Sequence, residues 1–225
     1  ESAYAKDVMT YMPLSYMQDI EALLEELHVT RFAAIGTSLG GIVSMLLAST
    51  WPKRVEGVVL NDVGPEIAPE GLARIQGYVG EGRSFDSWAH AARAQEELNG
   101  EIYAAWQLAD WIRFAKRTHK LNAKGRVVQD YDTRIAEPFE VPGSATGVDL
   151  WPALKAMVDI PVLIVRGENS DILSPAVGER MLDMLHDARL ETVPGIGHAP
   201  TLDEPPVRRA IDGFLARISA DSAAS

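Results

Sequence analysis

The residues most able to do chemistry begin with Gly36-Thr37-Ser38-Leu39-Gly40-Gly41. The string lies between an apolar run, Arg31 to Ile35, and a small, apolar segment from Leu39 to Ser49. It fits a G-x-S-x-G turn joining a strand to a helix. A serine on so sharp a turn takes strained backbone angles, and the small residues at 36 and 40 are expected to let strand and helix approach. The helix that follows aims unpaired N–H groups and its positive dipole end at the space beside the Ser38 hydroxyl, where an oxyanion would be stabilised.

A serine hydroxyl is a poor nucleophile near neutral pH, so it needs a base, and the base needs an orienting carboxylate. His198 is the best placed of the five histidines, in Pro194-Gly195-Ile196-Gly197-His198-Ala199-Pro200, where glycines leave room for an imidazole. His28 closes a surface helix, His186 ends a polar one, and His90 and His119 lie in the middle of the chain. Asp171 follows Arg166-Gly167-Glu168-Asn169-Ser170, just past a third strand and so at the carboxyl end of the sheet, where a site forms. The reading is therefore a relay of Ser38, Asp171 and His198, whose activity falls when acid protonates an ordinary histidine near pH 6.5.

Elements that could position these groups are visible in the hydropathy pattern. Leu14 to Leu27 reads as an amphipathic helix, and Val55 to Leu60, Pro161 to Val165 and Arg189 to Val193 read as buried strands. Helices are expected over Leu39–Ser49, Val177–Leu185 and Pro206–Ile218, with Ser219–Ser225 as a frayed tail. Strands alternating with helices imply an α/β fold with a mostly parallel sheet flanked by helices. Between residues 66 and 155 the strongest periodicity is helical, in Ser87–Leu98 and Ile102–Lys120, and predicts an inserted helical cap. Residues 1–65 and 156–225 then form the two parts of the core. Four of the five tryptophans fall in the inserted segment, so Trp88, Trp106, Trp111 and Trp151, with Tyr131, are candidate walls of a substrate pocket, or else the core of the cap itself.

The elbow at 36–41, Trp51-Pro52, Val58-Val59-Leu60-Asn61-Asp62, the Gly167–Asp171 stretch, Gly197-His198-Ala199-Pro200 and Asp203-Glu204-Pro205 together resemble the α/β-hydrolase superfamily, in its cap-bearing branch. The resemblance implies Ser38 as nucleophile, His198 as general base and then acid, Asp171 as its orienter, and the Leu39 backbone N–H as one oxyanion donor. Some members take the acid from the preceding strand's loop, which makes Asp62 the alternative. Ser at the elbow points to esters, lactones, thioesters, amides or activated carbon–carbon bonds. Family members begin with further strands and a His-Gly-type segment that supplies a second oxyanion donor. Nothing in this sequence supplies these, and Glu1-Ser2-Ala3-Tyr4 resembles the tail of the joining segment, so the expectation is a piece of a longer chain.

Composition narrows the rest. With 21 basic against 32 acidic residues the net charge is −11, which disfavours nucleic acid as a partner. At 225 residues and 47% hydrophobic the chain can bury a core, yet no apolar run reaches membrane-spanning length. The absence of Cys removes thiolate catalysis and Cys-type zinc sites. Gly77-Tyr78-Val79-Gly80-Glu81-Gly82 has the wrong spacing for a dinucleotide loop, and Asp130 with Asp132 reads as a solvated turn rather than a cation site. The sequence thus predicts a cytoplasmic serine hydrolase of a small or medium carboxylic ester or lactone, with no cofactor or metal, and a small molecule as its partner. The alternatives are a hydrolase of activated carbon–carbon bonds of the vinylogous diketone type and a non-catalytic binding or receptor protein on the same fold.

Overall fold

The computed structural model describes residues 3–140 and 149–223. In chain order its elements are α1 (Pro13–Glu26), β1 (Phe32–Thr37), α2 (Leu39–Thr50), β2 (Val55–Asn61), α3 (Pro69–Gln76), β3 (Ser84–Phe85), α4 (Trp88–Asn99), α5 (Leu108–Thr118), β4 (His119–Leu121), β5 (Val127–Gln129), α6 (Glu137–Glu140), α7 (Trp151–Ala156), β6 (Val162–Gly167), α8 (Pro175–Met184), β7 (Ala188–Val193) and α9 (Pro205–Ala223). Short 3-10 turns occupy Val8–Thr10 and Thr133–Ala136.

Four strands form one sheet in the order β1-β2-β6-β7, every pair parallel. This is the sheet expected from strands that alternate with helices, and β2 and β6 are apolar on both faces because both faces are covered. On one side Met45 and Ala48 of α2, Leu154 of α7 and Met181 of α8 pack with Val58, Leu60, Val162 and Ile164. On the other, Val207, Ile211, Phe214 and Ile218 of α9 pack with Val59, Leu163 and Val165. Gly57 lets α9 close down, since a Cβ there would sit 2.9 Å from the Phe214 ring. The register aligns the strand ends: Thr37 is level with Asn61, and Asn61 with Val165. The loops after β1, β2 and β6 therefore leave the sheet side by side.

The segment between β2 and β6 is not purely helical. A three-stranded antiparallel sheet, β3-β5-β4, stands beside α4 and α5. The helix expected from Ile102 to Lys120 starts only at Leu108, where the Asp110 carboxylate accepts the Gln107 N–H, and it gives way to a strand at His119. The strand turns back at Asn122, whose side-chain oxygen accepts from the N–H groups of Lys124 and Arg126, and Gly125 takes a φ of +72°. The Asn-x-x-Gly spacing at residues 122–125 is the sequence feature that encodes this hairpin. Residues 141–148 of the expected cap lie outside the described residues, as do Glu1 and Ser2 of the expected joining segment. The expected frayed tail is helical as far as Ala223, with Ala224 and Ser225 outside the described residues. Among the described residues no helix is long and apolar enough to cross a membrane, and no group of three or more His, Asp or Glu could hold a metal ion.

Candidate active site

Ser38 follows the last residue of β1 with φ +50° and ψ −118°, outside the regions that an L residue prefers. Its N–H donates to Asn61 O at 3.1 Å, and its own carbonyl accepts the Gly41 N–H at 2.8 Å. Gly36 is needed as expected, for a Cβ there would lie 2.2 Å from the Gly40 carbonyl oxygen. Gly40 differs from the expectation: a Cβ on it would meet nothing within 4 Å, and the clearance on the helix side is needed at Gly41, where a Cβ would be 2.3 Å from Val63. Leu39 is the first residue of α2, so its amide stands at the positive end of that helix beside Ser38.

His198 Nε2 is 3.1 Å from Ser38 Oγ, and its Nδ1 is 2.8 Å from Asp62 Oδ2. An ionised carboxylate only accepts, so the proton sits on Nδ1 and leaves Nε2 free to take one from the hydroxyl. The pair is shielded, with side-chain exposures of 7% for His198 and 0% for Asp62. Asp62 directly follows β2 at φ +55°, a left-handed conformation that Asp tolerates better than most residues. Its carboxylate accepts two more hydrogen bonds, from Gly167 N to Oδ1 at 2.8 Å and from Ser170 Oγ to Oδ2 at 2.7 Å. The Ser170 oxygen in turn accepts the N–H groups of Ile172 and Leu173.

Asp171, the acid expected from chain order, makes a different contact. Its two oxygens are taken by Arg74 of α3, at 2.5 Å to Nε and 2.9 Å to Nη2. The hydrogen bond to Arg74 and its positive charge hold the Asp171 carboxyl below its usual range, and the guanidinium is shifted upward in return. The reason is local: α3 lies directly on this loop, so close that a Cβ at Gly71 would be 2.2 Å from Asp171 O. Ser170 turns toward Asp62 and Asp171 toward the helix.

The histidine loop is pinned along its length. Glu168 Oε2 accepts the Gly195 N–H at 2.7 Å, and Ile196 O accepts the Asn169 N–H at 2.9 Å. From the inserted segment, Ile102 O accepts the Gly197 N–H at 3.3 Å and the Tyr103 hydroxyl donates to Ala199 O at 2.6 Å, one contact on each side of His198. Burial, with the negative charges of Glu204 and Asp62 nearby, pushes the Tyr103 phenol up to about 12. Tyr103 was not singled out from sequence because it sat inside an expected helix.

The five aromatic candidates separate. Trp111 is 1% exposed and packed among Tyr103, Trp106 and Phe114, so it is core of the inserted segment and offers no wall. Trp106 stacks on Tyr103 with centroids 4.1 Å apart, and Trp88 packs at the edge of the same cluster. Tyr131 is half-buried, with its phenol raised mainly by burial. Trp151 packs against the sheet core, under the Arg180 guanidinium at 3.7 Å and with its ring N–H toward Glu66. Asp130 pairs with Lys120, and Asp132 with Arg134 and the Tyr11 hydroxyl, so both carboxylates are engaged within the protein.

Residues 8–210 match the family model described as "Alpha/beta hydrolase family". The chain belongs to the α/β hydrolase family. Among solved structures, an α/β hydrolase from Novosphingobium aromaticivorans is similar at 53% identity and a TM-score of 0.91, over 96% of this chain and 76% of that one. A 3-hydroxybutyrate-oligomer hydrolase of Cupriavidus necator is 30% identical over 91% of this chain and 71% of its own length. A 2-(acetamidomethylene)succinate hydrolase of Mesorhizobium japonicum is 28% identical over the same shares, 91% and 71%. In this α/β hydrolase the serine loop follows β1, the carboxylate in contact with the histidine follows β2, and the histidine loop follows β7.

Proposed function

We propose that this α/β hydrolase is a cofactor-independent serine hydrolase that cleaves small or medium carboxylic esters. The observation that carries the reading is the continuous hydrogen-bonded line from Ser38 Oγ through His198 to Asp62. Ser38 attacks the ester carbonyl while His198 Nε2 takes its proton, and Asp62 stabilises the imidazolium. The oxygen of the tetrahedral intermediate is held by the Leu39 N–H at the head of α2. The imidazolium then protonates the departing alcohol. Water attacks the acyl-enzyme with His198 again as base, releasing the acid and restoring Ser38.

The segment between residues 66 and 155 acts as the cap, and its partly exposed Trp88, Trp106 and Tyr131 are the proposed substrate wall. The C. necator relative is named for the hydrolysis of hydroxybutyrate oligomers, so linear hydroxyacyl esters belong in the first substrate panel beside p-nitrophenyl esters. The test is labelling by a fluorophosphonate followed by peptide mapping. The expected result is one adduct, on Ser38, with ester hydrolysis lost in Ser38→Ala. A folded sample that hydrolyses no ester and takes no label at Ser38 overturns the proposal in favour of a binding protein.

A further inference from the structure

Asn61 is the last residue of β2, fully buried at 0% exposure. Its side-chain nitrogen donates to Pro200 O at 2.8 Å and to Thr37 Oγ1 at 3.0 Å, while its backbone carbonyl accepts the Ser38 N–H at 3.1 Å. Thr37 precedes the proposed nucleophile, Asp62 follows Asn61 directly, and Pro200 lies two residues beyond His198. One amide thus ties together the three loops that carry the three groups. The orientation of that amide is fixed, because the carbonyl of Pro200 can only accept, so the nitrogen faces it.

That orientation leaves Asn61 Oδ1 buried and without a hydrogen-bond partner. A buried polar atom with no partner costs stability, and an apolar side chain of the same shape would remove that atom only by leaving the buried Pro200 O without this donor. The two donated bonds, one to the serine loop and one to the histidine loop, account for an asparagine here despite its unpaired oxygen. We infer that Asn61 is a positioning residue, which holds the serine and histidine loops in register so that Ser38 Oγ and His198 Nε2 stay within proton-transfer distance. The inference rests on the serine-hydrolase reading above and adds a residue that contacts no substrate.

The decisive variant is Asn61→Leu, similar in volume and unable to donate. Kinetics with a p-nitrophenyl ester, normalised to folded protein, are expected to show kcat lower by about 10- to 100-fold with KM within about 3-fold, as loss of alignment predicts. The labelling rate of Ser38 by a fluorophosphonate should fall in parallel. The melting temperature is expected to fall, because Asn61→Leu leaves Pro200 O and Thr37 Oγ1 without this donor, and the normalisation to folded protein removes that effect from kcat. A folded Asn61→Leu protein whose kcat stays within about 3-fold of the parent overturns the inference. If Asn61→Leu does not fold, Thr37→Val removes one of the two acceptors and is read the same way, with a kcat loss of about 3- to 10-fold in its favour and an unchanged kcat against it. A parent protein that neither hydrolyses esters nor labels at Ser38 fails the serine-hydrolase reading instead, which keeps the two failures apart.

Discussion

Arg74 occupies both oxygens of Asp171, and the carboxylate that meets His198 is Asp62, just after β2, the strand next to the one that Ser38 follows. The two acids therefore separate cleanly in a mutational test. In Asp62→Asn the buried side chain no longer holds the imidazole in the tautomer that exposes a free Nε2, and kcat should fall by about 10³–10⁴-fold. Asp171→Asn should keep kcat within about 3-fold. It loses a partly exposed ion pair worth about 0.5–1 kcal/mol, which lowers the melting temperature by about 1–4 °C. Because Arg74 depresses the Asp171 pKa, that contribution is present above the ordinary carboxylate range and fades as pH falls below it. Steady-state kinetics and thermal melts of the two variants decide the matter, and the reverse ranking would return Asp171 to the relay.

Ser170 makes the shortest of the three contacts to that carboxylate, donating to Asp62 Oδ2 at 2.7 Å while accepting from two loop amides. Ser170→Ala leaves Asp62 with the Gly167 amide and His198, and leaves the amides of Ile172 and Leu173 without this acceptor. The expected outcome is a kcat lower by about 10-fold and a stability loss of about 1–2 kcal/mol, as for a buried hydrogen bond with partners left behind. Urea unfolding and ester kinetics read the two effects separately. Parent-like kcat would show that the carboxylate needs no hydroxyl.

Ser38 and His198 were legible as candidates because each sits in a local pattern that encodes its own geometry: an apolar strand, a glycine-spaced turn and a helix for Ser38, and a glycine-flanked loop after a strand for His198. The choice between acids was not: Asp171 is the expected one and Asp62 its alternative, both follow buried strands, and what separates their contacts is a partner 97 positions away from Asp171 in the chain, Arg74. The sheet and its flanking helices followed from alternation of buried strands with amphipathic segments. The small β3-β5-β4 sheet did not, since its strands are two or three residues long and carry too few positions for a period-2 pattern. The parts played by Tyr103, inside an expected helix, and by Asn61, inside a strand motif, were not legible, because they lie in contacts with the histidine loop.

The elbow offers a test of which glycine the turn requires. Gly36→Ala places a methyl group 2.2 Å from a backbone carbonyl oxygen that cannot move without unwinding the start of α2. Such an overlap should cost at least about 3 kcal/mol and yield little folded protein. Gly40→Ala has open space and sits in a helix, where alanine is favoured over glycine by about 1 kcal/mol, so it should fold with parent-like or higher stability. Chemical denaturation of both variants checks the contrast, and a destabilised Gly40→Ala would show that the motif's second glycine carries the clearance after all.

Tyr103 provides a pH signature for the contact between the inserted segment and the histidine loop. Burial and neighbouring carboxylates raise its phenol to about 12, so the folded state favours the neutral form. The sign follows: the contribution is complete below about pH 10, where an unfolded tyrosine is also neutral, and is lost as pH rises from there through about 12. Over that window the shift corresponds to roughly 2–3 kcal/mol of stability. Tyr103→Phe removes the bond to Ala199 O and should cost about 1 kcal/mol at pH 7, yet it also removes the titrating group. Stability curves of parent and variant should therefore converge above pH 10 and cross before pH 12. Urea unfolding at several pH values between 7 and 12 measures the difference directly, with the other titrating groups common to both proteins. Curves that run parallel across the whole range would mean that the phenol titrates alike in the folded and unfolded chains, and that it is not held as the structure places it.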